Sequence, residues 1–339
     1  MSEMTNRQRF DRVMSFQPVD RLPMMEWAPW WDKTLDRWRG EGLPEELTDA
    51  VDVQRHLGLD PIRHVWISHW TDRAPQPASH GAGIIADLAD YEAVRPTLYG
   101  DGFDAEKLRA WAEQQRSGEL LLWLTFDGFF WYPRRMLGIQ RHLYAFYDQA
   151  DLMDRINADL LDHQRRVLAA VLEICTPDFM TFAEDMSYNH GPMISRELCE
   201  RFLAPWYRQI VPPLKAAGIR VLVDSDGDVT ELVDWMLALG VEGFLPLERQ
   251  AGVDVGELRR RWPKLLMLGA FDKMVMHRGE RAIRQEFERL GPVAAAGGFV
   301  PSVDHQTPPG VSLQQYREYL AIFRDFCRRA AEAAGQASA

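Results

Sequence analysis

The feature that most constrains this chain is a rhythm. Short apolar, β-branched or aromatic runs alternate with longer amphipathic stretches, the pattern of repeated βα units. Eight runs read as strands: residues 22–27, 64–68, 120–126, 179–183, 219–223, 243–247, 265–270 and 298–303. The stretches between them carry helix signals. Residues 196–217 have helical period, with Ser195 placed to cap the start and Gly218 just past the end. A second helix is predicted after Asp228, with Glu231 at capping-box spacing, and stops at Gly240. A third fills the interval from Gly279 to Ala296 and ends at Gly297 and Gly298. Eight such units in 339 residues predict an α/β fold, a single (β/α)8 TIM barrel with an N-terminal helical extension. A doubly wound open sheet fits less well, because no GxGxxG follows any strand. Residues 1–339 are expected to form one domain, with 1–20 as a helical lead-in and 330–339 as a disordered tail.

Composition narrows the function classes. The net charge of −11 gives nucleic acid no electrostatic purchase. No apolar run reaches the roughly 20 residues of a membrane helix, and the N-terminal stretch has no apolar signal core. Cys175, Cys199 and Cys327 are odd in number, far apart and without a CxxC pair, so they read as free thiols of a reducing, cytoplasmic setting.

Almost every predicted strand runs into an ionisable residue at its C-terminal end: Glu26, His69, Asp127, Glu184 with Asp185, Asp224 with Asp226, Glu248, Asp272 with Lys273, and Asp304 with His305. In a barrel those ends share one mouth, where catalytic groups gather. About half are expected to be caps, turn formers or solvated loop residues instead. The mouth is also predicted to be aromatic, with Trp27, Trp30, Trp31, Trp66, Trp70, Phe129, Phe130, Trp131 and Tyr132 near the first three strand ends. Arg134 and Arg135 follow that cluster and suit a carboxylate. Lys273, beside Asp272, reads as an ion-pair or carboxylate contact rather than a Schiff-base lysine. DSDGD is not an EF-hand loop: its glycine comes too early and no glutamate closes it.

Segments along the whole chain carry a family resemblance. MTNRQRFDRVMSFQPVDRLP, FFWYPRRMLG, FAEDMSYNHGPMIS, VDSDGDVTELVDWMLALGVEGFLPLE, LGAFDK and GGFVPSVDHQTPPGVSLQQY occur in the order expected of the uroporphyrinogen decarboxylase superfamily, which this chain resembles. The resemblance implies a TIM barrel and one of two chemistries: cofactor-free decarboxylation, or methyl transfer between a corrinoid carrier and a thiol or other acceptor. True uroporphyrinogen decarboxylases carry an arginine-rich RQAGRYLPEYR-type segment after the first strand. MEWAPWWDKTLDR stands here instead, so an octacarboxylate would meet an acidic, aromatic entrance. The thiol methyltransferases of the superfamily bind zinc through His-x-Cys-Gly and a cysteine ahead of a Pro-Pro segment. Here Asp224 and Asp226 precede Gly227, and Asp304 with His305 precedes Pro308-Pro309. No thiolate remains. The resemblance therefore leaves a hard ligand set, Glu184, Asp224, Asp226, Asp304 and His305, for zinc, magnesium or another divalent ion, or for protons.

The expected catalytic groups are Asp224, His305, Asp304 and Glu184. The expected substrate contacts are Glu26, Trp27, Trp30, Trp66, His69, Phe130, Arg134, Tyr188 and Lys273. The expected activity is methyl transfer involving a small methylated substrate and a corrinoid (cobalamin) on a separate protein, since the chain has no DxHxxG corrinoid module. The alternative is decarboxylation of a non-porphyrin carboxylate. The density of strand-end ionisable groups argues against a merely ligand-binding barrel. The family's decarboxylases make a homodimer an expectation as well.

Overall fold

The structure is a computed structural model and describes residues 3–28 and 30–337. Seven strands form one parallel sheet: β1 (Ile62–Trp66), β2 (Leu121–Asp127), β3 (Phe179–Ala183), β6 (Arg220–Asp224), β7 (Gly243–Leu245), β8 (Leu266–Phe271) and β9 (Phe299–Val303). Between β3 and β6 lies a separate two-stranded hairpin, β4 (Ser187–Tyr188) with β5 (Gly191–Pro192). The sheet strands neighbour one another in chain order, so each helical crossover steps the same way. β2, β3 and β8 are buried along their whole length, which is why they read as continuous apolar runs rather than alternating ones.

Seven of the predicted runs are thus strands, but the first, residues 22–27, forms no ladder. It spans the space between the two outer strands through mixed contacts. On one side, Asp60, just ahead of β1, donates its amide to the Met24 carbonyl and accepts the Met24 amide on its carboxylate, both at 2.8 Å. On the other, the Trp27 indole donates to the Val303 carbonyl at 2.7 Å. The Val303 amide donates not to a backbone carbonyl but to the Glu26 carboxylate at 2.9 Å. Glu26 also accepts Ser302 Oγ and the Tyr319 hydroxyl, each at 2.6 Å. A side chain has taken the donor that an eighth ladder would use. A seven-stranded parallel sheet with a bridged edge therefore replaces the eight-stranded sheet predicted from the sequence.

The helices pack outside the sheet. Thr5 and Gln8 form a capping box on the first helix, Asn6–Met14. The predicted helix over 196–217 is two helices, Arg196–Phe202 and Ala204–Ala216; Pro205, early in the second, has no amide to continue the first. Ser195 caps as predicted, accepting the Leu198 amide. Asp228 instead closes a turn on the Thr230 amide, and the helix begins later, at Leu232. The last helix runs unbroken from Leu313 to Ala337, with Ala330 and Ala331 buried, so residues 330–337 are helical rather than disordered; residues 338–339 lie outside the described residues. Cys175, Cys199 and Cys327 are free. Among the described residues no helix is long and apolar enough to cross a membrane.

Glu26 is the acceptor for three donors at the edge of β9. Glu26→Ala is expected to lower stability by about 2–4 kcal/mol, because a buried amide and two hydroxyls lose their acceptor. Urea denaturation measures this, and a loss under about 1 kcal/mol would contradict the bridging role.

Candidate active site at the strand ends

Beyond the C-terminal ends of the strands lies a cavity of about 470 Å³. Its walls are indoles: Trp27, Trp31, Trp66, Trp123 and Trp131. Its polar lining is His64, Asp185, Asp224, Asp226, Lys273 and His305, with Gln306 beside them. Asp224 is the last residue of β6; Lys273 and His305 each stand two residues beyond β8 and β9. Gly227 sets the turn that places Asp226. Its φ is +80°, and a Cβ there would come within 2.7 Å of the Tyr188 backbone, so the loop and the hairpin can approach this closely only without a side chain. The Asp228 amide donates to the Tyr188 carbonyl at 3.0 Å and fixes that approach.

His305 Nε2 lies 2.9 Å from Asp226 Oδ1. Glu248, beyond β7, accepts the Gly227 amide at 3.0 Å. One ligand atom from each of Asp226, Glu248 and His305 falls within 4.8 Å of the others, a group able to hold a metal ion. Burial pushes the Asp224 carboxyl well above the usual carboxylate range, and repulsion from Asp226 and Asp185 adds to it. Asp185 is raised too, chiefly by burial and by Asp226, against the pull of Arg134. Burial depresses His305, but its hydrogen bond and charge interaction with Asp226 outweigh that, so the imidazole sits above its ordinary 6.5. The carboxyls are thus biased towards holding protons while the imidazole is biased towards keeping one.

The expected site residues divide between this cavity and elsewhere. Asp224, Asp226, His305, Lys273, Trp27 and Trp66 line it. Glu184 does not. Its carboxylate is fully buried and accepts the amides of Phe129, Phe130 and Trp131 and the Tyr207 hydroxyl, so its oxygens are spent holding the turn after β2. A Cβ on Gly128 would fall 2.1 Å from its Cδ, which shows how tightly the turn wraps it. Asp304 is also fully buried, accepting the Arg249 and Lys273 amides and lying 3.8 Å from the Lys273 ammonium. It positions Lys273 from behind. Glu26 bridges the sheet edge. Trp30 packs on Trp38 and Tyr316, Phe130 on His142 and Phe146, and His69 is buried against His163 at 2.8 Å. Tyr188 is half-exposed on the hairpin, edge-on to His190. Arg134 donates to the Asp185 carbonyl at 3.0 Å and lines a smaller neighbouring cavity.

Lining residues outside the expected set include Asp185, His64, Trp31, Trp123 and Trp131, and Glu248 joins the site only through its approach to Asp226 and His305. Asp185 and Glu248 are strand-end acids whose side-chain directions no spacing rule reports. His64 carries a sequence signal, a polar ring inside an apolar strand run. It stacks on Trp123 with centroids 3.7 Å apart and shares a 2.8 Å contact with Thr125. Burial lowers its pKa to about 3, so it is neutral.

Glu184 gives a pH test of these placements. Burial is the largest influence on it and raises its pKa from 4.5 to about 7, although its four donors pull the other way. The folded form therefore binds the proton more tightly than the unfolded chain. Its contribution to stability is full below pH 4.5 and is lost as the pH rises through about 7. Glu184→Gln is expected to flatten the stability–pH profile across that window, read by urea denaturation at several pH values. An unchanged slope would contradict the assignment.

The uroporphyrinogen decarboxylase (URO-D) family profile matches residues 136–326. The methylcobamide:CoM methyltransferase MtbA of Methanosarcina acetivorans is 22% identical over 300 residues, covering 81% of this chain and 85% of that protein. A solved methyltransferase from Methanosarcina mazei superposes with a TM-score of 0.65 at 15% identity, covering 96% of this chain and 99% of that one. With its strand-end cavity and a family match across more than half its length, the chain belongs to the uroporphyrinogen decarboxylase family.

Proposed function

We propose that this protein is a methyltransferase that moves a methyl group between a corrinoid carried by a separate protein and a small acceptor bound in the strand-end cavity. The observation that carries this is the convergence of Asp226, Glu248 and His305, from three different strand ends, beside an indole-walled cavity that Asp226 and His305 line. The methyltransferase relative supports the reaction class. The aromatic lining also speaks against a porphyrinogen with many carboxylates, since among the described residues it offers a single lysine and no arginine to meet them.

The acceptor heteroatom must lose its proton as the methyl group arrives. Asp224 suits that step, because its carboxyl lines the cavity and its raised pKa makes its carboxylate a stronger base than that of an exposed aspartate. The indoles exclude water and give a flat ligand its stacking surfaces. Two carboxylates and an imidazole within 4.8 Å fit a divalent ion of the zinc or magnesium kind, which when bound would supply Lewis acidity at the acceptor. The ligand set is Asp226, Glu248 and His305, with Glu184, Asp224 and Asp304 outside it. Lys273, held by Asp304, is placed to meet negative charge on the ligand.

Methyl transfer from methylcobalamin to a panel of thiols, phenols and amines tests this. His305→Ala and Asp226→Asn are each expected to lower the rate by about 100-fold or more while the fold persists by circular dichroism. Rates within about 3-fold of wild type would contradict the site. Release of carbon dioxide from a carboxylate panel without cobalamin would contradict the reaction and point to a decarboxylase.

A further inference from the structure

Beside the main cavity lies a second one of about 240 Å³, and Trp131 forms a wall of both. The ionisable groups that line it are Arg134, Arg135 and His80; among the described residues no carboxylate does so, in a chain whose net charge is −11. The larger cavity is mixed, with Asp185, Asp224 and Asp226 beside Lys273 and His305 in its lining. A negatively charged group is therefore better accommodated in the smaller cavity than in the larger one.

The two guanidinium groups are held in place. Arg134 stacks over Trp131 at 5.0 Å and donates through Nη1 to the Asp185 carbonyl at 3.0 Å. Arg135 stacks over Trp70 at 5.0 Å and donates through Nη1 to Asp127 at 2.6 Å. Each fork has five N–H donors, and these contacts engage one nitrogen of each. The Trp70 indole N–H, also among the lining residues, is buried without an acceptor among the described residues. The result is a slot between two indoles, with spare guanidinium donors and an unpartnered indole N–H facing it.

We propose that this slot binds the carboxylate of a small, flat organic acid, and that the methyl-transfer substrate carries such a group. The second half rests on the methyl-transfer function; the binding itself does not. A carboxylate fits better than a phosphate because Asp127 and Asp185 already offset much of the arginine charge, at 2.6 and 3.5 Å. One negative charge with two coplanar oxygens matches the two anchored forks.

Calorimetric titration with benzoate, benzamide and inorganic phosphate tests the slot without any turnover. Benzoate is expected to bind at one site per chain, and benzamide and phosphate at least about 10-fold more weakly. Arg134→Met is expected to weaken benzoate by about 10-fold or more. Ala82→Leu, which narrows the slot and keeps both charges, is expected to do the same, so the test survives if the arginine variant fails to fold. Lys33→Met, at the exposed start of the helix Asp32–Gly40, is expected to leave benzoate binding unchanged. Equal affinity for benzamide, preference for phosphate, or loss of binding on Lys273→Met but not on Arg134→Met would each overturn the proposal. Because binding is read directly, failure of methyl transfer with benzoate still bound would refute the reaction and not the slot.

Discussion

Parallel strand direction is the constraint on which the rest of this molecule depends. All seven strands of the sheet run the same way, so the residues just past each strand meet along one rim. Asp226, Glu248 and His305 are far apart in sequence, and one ligand atom from each still falls within 4.8 Å of the others. No local motif achieves this. The helical crossovers hold the direction of each strand, and the loops at the rim only select which side chains turn inward.

The edge of the sheet shows how the same chemistry serves structure. A carboxylate at the strand-end rim can face a ligand, or turn under a neighbouring segment and satisfy its amides. Glu26, Glu184 and Asp304 do the second. Each is buried and each accepts backbone donors that would otherwise be unpaired. Asp224 and Asp185 stay in the cavity and are driven towards protonation by burial and by repulsion from Asp226. The contrast between satisfied and crowded acids separates scaffold from site.

This contrast also marks how far the sequence was legible. Apolar runs report burial, and the strands of the sheet coincide with seven predicted runs, with β1 beginning two residues earlier than expected. The run at 22–27 looked the same as the others, because apolar composition does not say whether the partner is a backbone ladder or a glutamate side chain. At the site, the sequence pattern pointed to the strand ends, and of the residues it named Asp224, Asp226 and His305 line the cavity. It could not distinguish Glu184 from Asp185, neighbours whose side chains part by one peptide, the second at a positive φ of 43°. The glycine after β2 was a usable signal. Gly128, followed by three amides, makes a cradle that only a buried acceptor fills.

The contact between Asp226 and His305 joins β6 to β9 and is the most direct expression of this architecture. Titrating the His305 imidazole by NMR, in the wild-type protein and in Asp226→Asn, measures it. A midpoint above 6.5 that falls when the carboxylate is removed is the expected result. A midpoint at or below 6.5, indifferent to the substitution, would mean that the two strand ends do not meet as described.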